Sequence, residues 1–190
     1  TEQLKALEAS NFIMRYIPFG EKKSAVHYRL CDNFCRFWLT FKEGGQNGDE
    51  EFWQHNSNSP VLNTWRGFAF EELCMNHITE IKKALGIGGV TAAVSSYAIK
   101  GDDSKPGAQI DMVIDRADNV VNLCEMKFYN EEFRVSKEYS TKIIHRMNSV
   151  SELLPKRKVV RMTLVTTEGL VRNEYSGIFQ NTVTLADLMK

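Results

Sequence analysis

The β-hairpin predicted over residues 110–128 holds the three side chains best suited to chemistry. A loop at residues 117–119 puts Asp111 directly opposite Glu125 on the neighbouring strand, and facing residues of an antiparallel pair have Cβ atoms about 4.5–5.5 Å apart. Lys127 is two residues beyond Glu125 and therefore points to the same side of the sheet. The sequence thus predicts two carboxylates and one ammonium group close together. A register slip of one residue would separate them.

Both faces of this hairpin are apolar, so we expect both to be covered. Facing carboxylates repel each other unless positive charge lies close by. Either Lys127 supplies that charge as a structural ion pair, or a divalent cation is bound by Asp111 and Glu125; Mg²⁺ takes one or two carboxylates and keeps several waters. An ordinary surface hairpin is the simpler alternative. The face of the charged residues also carries Val113, Val121 and Leu123, and the opposite face carries Ile110, Met112, Ile114, Val120, Cys124, Met126 and Phe128.

A third carboxylate, Glu71, lies on a helix that Ser59 and Pro60 are suited to begin. The apolar spacing predicts that this helix runs to residue 85. Glu71 is seven residues before Ile78 and so shares its core-facing side, whereas Glu72 is turned away by about 100° and should be solvated. Glu71 is therefore a candidate third acidic ligand, or else a border residue that reaches solvent.

Positive charge is concentrated in one part of an otherwise neutral chain. Between Lys127 and Arg161 there are nine Lys or Arg residues and four Asp or Glu residues. Such a local excess is suited to phosphate contacts with DNA, although a solvated helix face and a basic turn would have the same composition. The candidate DNA-binding residues are Lys142, Arg146, Lys156, Arg157 and Lys158.

The elements that position these residues predict a mixed α/β domain. Residues 60–190 are interpreted as this domain, with strands at 91–99, 110–115, 120–128 and 159–166, a helix at 137–153, and a short strand leading into a helix at 182–189. A central sheet of about four to five strands should therefore be flanked by helices. Residues 1–43 suggest a hairpin followed by an aromatic helix capped by Asp32. Residues 44–59 are predicted to be a polar linker.

Composition excludes several classes of protein. The chain has 190 residues, of which 43% are hydrophobic, and 24 Lys and Arg balance 24 Asp and Glu. It is therefore not wholly disordered, and no global field draws it to nucleic acid or membrane. No apolar run is long enough for a transmembrane helix. The four scattered cysteines fit free thiols in a reducing cytoplasm; zinc binding by Cys31 and Cys35 with His27 or His55 lacks a paired CxxC motif.

The order of these motifs resembles a known family. Asp111 followed by Glu125-Met126-Lys127 is similar to the signature of PD-(D/E)XK nucleases, and residues 67–71, ending in Glu71, resemble the helix-borne glutamate motif that precedes it. Residues 28–38 resemble the end of the winged helix in archaeal-type AAA+ ATPases, in which a nuclease-like domain follows. The first acidic motif lacks the usual preceding proline. The resemblance implies a restriction-endonuclease-like fold preceded by part of a winged helix.

The resemblance also implies a function. We expect a DNA endonuclease dependent on Mg²⁺ or Mn²⁺, in which Asp111, Glu125 and Glu71 hold the metal and Lys127 acts on the metal-bound water or the transition state. No P-loop sequence is present, so the ATPase domain is expected upstream of this chain; an oligomer is compatible with this reading. The alternatives are a non-catalytic DNA-binding or assembly module of the ATPase, and a DNA-binding regulator that uses a winged helix. A cysteine protease based on Cys74 or Cys124 has no supporting motif.

Overall fold

A computed structural model describes residues 1–42, 50–99, 101 and 107–190 of the chain. The helices are α1 (Glu2–Ala9), α2 (Asn33–Phe37), α3 (Phe52–His55), α4 (Pro60–Asn76), α5 (Ile78–Ala84), α6 (Lys137–Ser151) and α7 (Leu185–Leu188), with a π-helical turn at Trp38–Lys42 and a 3-10 turn at Ser176–Ile178. The strands are β1 (Ile13–Tyr16), β2 (His27–Leu30), β3 (Ala92–Ile99), β4 (Ala108–Arg116), β5 (Val120–Lys127), β6 (Val159–Thr166) and β7 (Asn181–Thr184). Within these ranges no helix has both the length and the hydropathy of a membrane span.

The centre of the molecule is a five-stranded mixed sheet in the order β3-β4-β5-β6-β7. The strand pairs β3–β4 and β4–β5 are antiparallel, whereas β5–β6 and β6–β7 are parallel. The parallel pair β5–β6 requires a crossover, which α6 supplies. The predicted α/β class, with a mixed central sheet flanked by helices, is therefore confirmed.

Helices cover both faces of this sheet, as the apolar strands require. On one face, α6 packs on Val113, Val121, Leu123, Met162 and Leu164 through Ile143 and Val150. On the other face, α4, α5 and α7 pack on Met112, Ile114, Cys124, Met126 and Val165 through Phe70, Cys74, Ile81 and Leu188. Burial of each large apolar side chain contributes about 1.5–3 kcal/mol, so these two layers dominate the stability of the fold.

The antiparallel register of β4 and β5 is the predicted one. Met112 pairs with Cys124 and Val113 pairs with Leu123. Asn119, the last residue of the loop, has a positive φ of 66°, which is the left-handed conformation that closes a three-residue hairpin loop. Asn tolerates this conformation better than most residues.

A β-bulge in β4 interrupts the alternation of its side chains. Ser95 of β3 pairs with Val113 and Tyr97 pairs with Ile110, so β4 carries one residue more than β3 over this interval. As a result Ile110 packs with Val113 on the α6 side. The prediction that Ile110 shares a face with Met112 was therefore wrong. The extra residue falls at Asp111 and Met112, and bulges commonly re-aim a side chain at this kind of position.

The predicted helix over residues 60–85 is two helices. It breaks at His77, whose φ of −113° and ψ of 34° are not helical, and whose Nδ1 lies 2.8 Å from the carbonyl oxygen of Leu73. The second helix ends before Gly86, which has a φ of 70°. The break redirects α5 toward α7 while α4 stays on β5.

The N-terminal segment packs directly on the sheet domain. Strands β1 and β2 form the predicted antiparallel hairpin, the amide of Phe19 donates a 2.7 Å hydrogen bond to the carbonyl of Ser96 on β3, and Arg29 lies 3.6 Å from Glu72. Glu72 is consequently buried, with 4% exposure. Its predicted solvation was wrong because the hairpin covers that side of α4.

An aromatic cluster joins the N-terminal segment to α3 and α4. Phe41, Phe52 and Leu62 are buried, with Phe37 and Trp65 packed against them. Residues 44–49 of the predicted linker lie outside the described ranges, but Phe52–His55 is helical and Phe52 contributes to this core. That part of the predicted linker is therefore a structural element, because Phe52 is buried against Leu62 of α4.

Candidate active site

Glu125 is an almost completely buried carboxylate, with 1% exposure, on the face of β5 that α6 covers. Its Oε1 accepts a 2.7 Å hydrogen bond from the hydroxyl of Tyr139 and lies 2.9 Å from Nζ of Lys127. Nη1 of Arg146 lies 2.8 Å from both carboxylate oxygens. Tyr139 and Arg146 are two turns apart on α6 and so point the same way.

The charges in this network set the ionisation of Glu125. Burial alone would raise the pKa of its carboxyl group, but Lys127 and Arg146 outweigh burial and lower it. Burial lowers the pKa of the Lys127 ammonium group. The attraction of Glu125 and Asp111 outweighs burial, so the pKa is raised overall. Glu125 is therefore an anion at neutral pH and is held between two cations.

Asp111 lies at the bulge of β4, one residue beyond the last regular pair with β5. Its Oδ2 accepts a 2.9 Å hydrogen bond from the backbone amide of Met126. Burial, followed by repulsion from Glu125, raises the pKa of Asp111 to about 6, against the opposing attraction of Lys127. Asp111 and Glu125 are thus neighbours, in agreement with the predicted register.

Glu71 reaches the same group of charges from α4. Burial, followed by the charge of Asp111, raises the pKa of Glu71 to about 7, while Lys127 opposes the rise. The structure therefore brings together the four residues that the sequence singled out, although they come from three elements. Burial, together with neighbouring carboxylates, thus raises the pKa of two of these groups, Asp111 and Glu71.

Thr166 adds an unsatisfied hydroxyl group beside Lys127. These residues are paired in the parallel register of β5 and β6, so their side chains project from the same face. The Thr166 hydroxyl is fully buried and has no hydrogen-bond partner among the described residues. Buried polar groups are normally paired, so this hydroxyl is suited to bind a water molecule or a ligand oxygen.

The donor set fits a divalent cation only in part. Within residues 1–42, 50–99, 101 and 107–190, no three His, Cys, Asp or Glu side chains stand in a metal-ligating arrangement. Asp111 and Glu71 have the raised pKa values that a cation would relieve, and Mg²⁺ needs only one or two carboxylates with water in the other positions. Glu125 Oε1 is occupied by Tyr139, Lys127 and Arg146, whereas its Oε2 contacts Arg146 alone in the described structure.

The candidate phosphate contacts lie at different distances from the carboxylates. Val120 pairs with Val159, and Lys127 pairs with Thr166, so the turn that precedes β6 lies a full strand length, about 23 Å, from Lys127. Lys156, Arg157 and Lys158 at that turn are therefore remote from Lys127. Lys158 also forms an ion pair with Asp115 there.

Two of the candidate phosphate contacts are on α6, at the same side of the sheet as Glu125. Arg146 is turned inward onto Glu125 and is not a free phosphate contact. Lys142, one helical turn before Arg146, is exposed. Lys142 therefore remains a candidate phosphate contact near the carboxylates.

The cysteines are not catalytic candidates. Burial raises the pKa of the Cys124 thiol to about 12 and that of the Cys74 thiol still higher, so neither provides a thiolate at neutral pH. Cys31 donates to the carbonyl of Asn11 and, like Cys35, is a free thiol. The zinc and protease interpretations have no support in this geometry.

Tyr139 is the residue that the sequence reasoning missed. It belongs to the inner stripe of α6, which also includes Ile143, Arg146 and Val150. The signal was the position of a tyrosine and an arginine within an otherwise apolar stripe, since such groups need a buried partner. That partner is Glu125.

Comparisons with known proteins add little to this description. No protein-family model matches the chain, and neither does any curated protein. Among solved structures, the chain is similar to a crystal structure described as a protein of unknown function, AF1548, at 16% sequence identity and a TM-score of 0.39. The similarity covers 58% of this chain and 56% of the other, so the chain spans a little over half the length of that neighbour.

Proposed function

We propose that this protein is a metal-dependent DNA endonuclease of the PD-(D/E)XK type. The observation that carries the proposal is the convergence of Glu71, Asp111, Glu125 and Lys127, from α4, β4 and β5, into one group of interacting charges. A carboxyl group with a raised pKa beside other charges is more frequent at functional sites than elsewhere. The proposal includes a restriction-endonuclease-like fold, a cytoplasmic location and an ATPase domain upstream in the same protein.

Each residue has a distinct role in this proposal. Asp111 and Glu71 would hold Mg²⁺ or Mn²⁺, and Oε2 of Glu125 would complete the ligand set. When bound, the cation lowers the pKa of a water molecule and neutralises charge on the phosphate. Lys127 stays protonated, so it steadies the negative charge that develops on the phosphate.

The supporting side chains fix this arrangement. Tyr139 and Arg146 hold Glu125 from α6, and the Met126 amide holds Asp111. Thr166 offers its unpaired hydroxyl to the water or to a phosphate oxygen next to Lys127. Lys142 is the exposed cation nearest in sequence to Arg146 and is the proposed contact to a neighbouring phosphate of DNA.

The test is cleavage of a supercoiled plasmid and of labelled oligonucleotides with Mg²⁺ and with Mn²⁺. We expect the wild-type chain to cut and Asp111→Asn to be inactive while it melts no lower than wild type. Lys127→Ala should bind the cation at least as well as wild type and should lose about two to four orders of magnitude in rate. Wild-type protein that leaves every substrate intact with both metals would refute the endonuclease.

A second function, a non-catalytic binding or assembly module of the ATPase, is favoured by one observation. Lys127, Arg146 and Tyr139 already neutralise and hydrogen-bond Glu125 without any metal. In this case Lys127→Ala should lower the stability of the metal-free chain, because it removes one cation from a buried carboxylate. Neither wild type nor Lys127→Ala should then cleave DNA. Melting curves and cleavage of the same two samples separate the two functions.

A further inference from the structure

Tyr129, two residues beyond Lys127, is an aromatic side chain that is fixed in place yet half exposed. Its exposure is 46%. The Tyr129 amide donates a 3.1 Å hydrogen bond to the hydroxyl of Thr167, which in turn donates to the Tyr129 carbonyl oxygen. Phe133 meets the Tyr129 ring edge-on, with 5.3 Å between the ring centres. The backbone and one side of this ring are therefore anchored while much of the ring remains open to solvent.

A cavity of about 270 Å³ lies against this residue, lined by Asn63, Phe128, Tyr129 and Asn130. The ring of Phe70 on α4 packs against the ring of Phe128, with 6.2 Å between the ring centres. The lining therefore combines aromatic rings with two carboxamide groups. This combination is suited to a flat, polar-edged ring, because the aromatic surface can stack and the amides can hydrogen-bond to the ring edge.

One of the two amides is oriented by a neighbour. Nη1 of Arg66 donates a 3.1 Å hydrogen bond to Oδ1 of Asn63. That bond leaves the NH₂ group of Asn63 to act as a donor to a ligand. A ring with a carbonyl oxygen on its edge, as in thymine, would match this donor.

The cavity lies in the same region as the carboxylates, although none of them lines it. Asn63 and Glu71 are both on α4, about 12 Å apart along the helix axis, and Phe128 directly follows Lys127 on the chain. A polynucleotide with one phosphate beside Lys127 could therefore place a neighbouring base in the cavity. A base that is paired within a duplex is stacked between its neighbours and could not enter.

We propose that Tyr129, with Phe128, Asn63 and Asn130, forms a stacking site for an unpaired nucleobase of single-stranded DNA. This inference rests on the proposed function for its link to catalysis, since it assigns to the endonuclease a substrate with an unpaired base close to the reacting phosphate. The binding itself does not require catalysis. Stacking on a fixed ring loses little conformational entropy, which favours a site of this kind.

The test compares two single-stranded probes in metal-free buffer, a fluorescently labelled dT₁₂ and an abasic strand with the same number of phosphates. Base–aromatic stacking changes affinity by about 5- to 150-fold per base. We expect Tyr129→Ala to weaken dT₁₂ binding within this range and to leave the abasic strand unaffected. Tyr129→Phe should bind as wild type, because it keeps the stacking face.

Tyr129→Leu is the matched control, since it retains apolar bulk against Phe133 but has no aromatic face. It should behave as Tyr129→Ala toward dT₁₂ and melt as wild type does. Equal losses of affinity for dT₁₂ and the abasic strand would show a phosphate contact or a folding defect. Unchanged dT₁₂ binding would show that no base stacks there. Either result overturns the site. If the binding pattern is as predicted but the chain cleaves no DNA with Mg²⁺ or Mn²⁺, the stacking site is supported and the endonuclease proposal is refuted.

Discussion

The three carboxyl groups near Lys127 have different electrostatic surroundings. Glu125 contacts two cations, and these lower its pKa. Asp111 and Glu71 lie farther from positive charge, so burial and their anionic neighbours raise their pKa values to about 6 and about 7. Residues of one chemical type thus differ in protonation near neutral pH, and the site holds acids that can give up protons when a cation arrives.

These raised pKa values predict a pH dependence of stability. Asp111 and Glu71 bind protons more tightly in the folded chain than in the unfolded one, where their pKa values are about 3.9 and 4.3. Their contribution is complete below the unfolded pKa values and is lost as the pH rises through the folded ones. Without divalent ions, the free energy of unfolding should therefore fall by several kcal/mol between about pH 4 and pH 8.

Urea denaturation at unit pH steps measures this slope. The double variant Asp111→Asn, Glu71→Gln should flatten the pH profile, and it should be more stable than wild type at pH 8 because the repulsion is gone. Glu125 acts in the opposite direction, since its lowered pKa makes stability fall toward acid pH. Equal slopes in wild type and the double variant would mean that Asp111 and Glu71 do not have raised pKa values in the folded chain.

Among the elements, the β4–β5 hairpin was predicted most closely from the sequence, except for the bulge in β4. Its register followed from a short loop and strict alternation, and that register was sufficient to make Asp111 and Glu125 neighbours. The bulge was not predictable, because it arises from pairing with β3, about 15 residues earlier in the chain, and leaves no local pattern. Likewise the contacts of Arg146 depend on how α6 docks on the sheet, which side-chain spacing alone does not specify.

The loop that sets this register offers a test at the scale of the element. Asn119 has a positive φ of 66°, and a left-handed conformation costs most residues about 1–2 kcal/mol. We expect Asn119→Ala to destabilise the chain by about 1 kcal/mol and Asn119→Gly to be neutral or slightly stabilising. Thermal melting of the three proteins measures the difference. If Gly destabilised as much as Ala, the side chain of Asn119 and not its backbone conformation would be what the loop requires.

At the scale of the whole molecule, the N-terminal segment is part of the folded unit that contains the carboxylates. Arg29 and Arg36 come from this segment, and both act on the acidic residues of α4. The sequence indicated a hairpin and an aromatic helix correctly, but burial of Glu72 required knowledge of where the hairpin docks. Polar composition likewise concealed the role of Phe52 within the predicted linker.

Replacement of Phe52 tests this integration. Phe52 is 5% exposed within the aromatic cluster, so Phe52→Ala should lower the free energy of unfolding by about 3–5 kcal/mol. Phe34→Ala is the control, since Phe34 is 72% exposed and its loss should change little. All three tryptophans lie between residues 38 and 65, so their fluorescence reports this cluster while far-UV circular dichroism reports the whole fold. Two separate transitions in wild type would mean that the segment unfolds independently.

The distance between the two groups of basic residues has a consequence for counterion release. Each phosphate that a protein cation neutralises on B-DNA contributes about −0.9 to the slope of log affinity against log salt concentration. A ligand confined to the end of the sheet with Lys127 and Lys142 would release about two counterions and bind with a slope near −2. A ligand that also reached Lys156 and Arg157, about 23 Å away, would show a slope close to −4. The ionic-strength dependence of binding therefore reports the length of nucleic acid that this molecule holds.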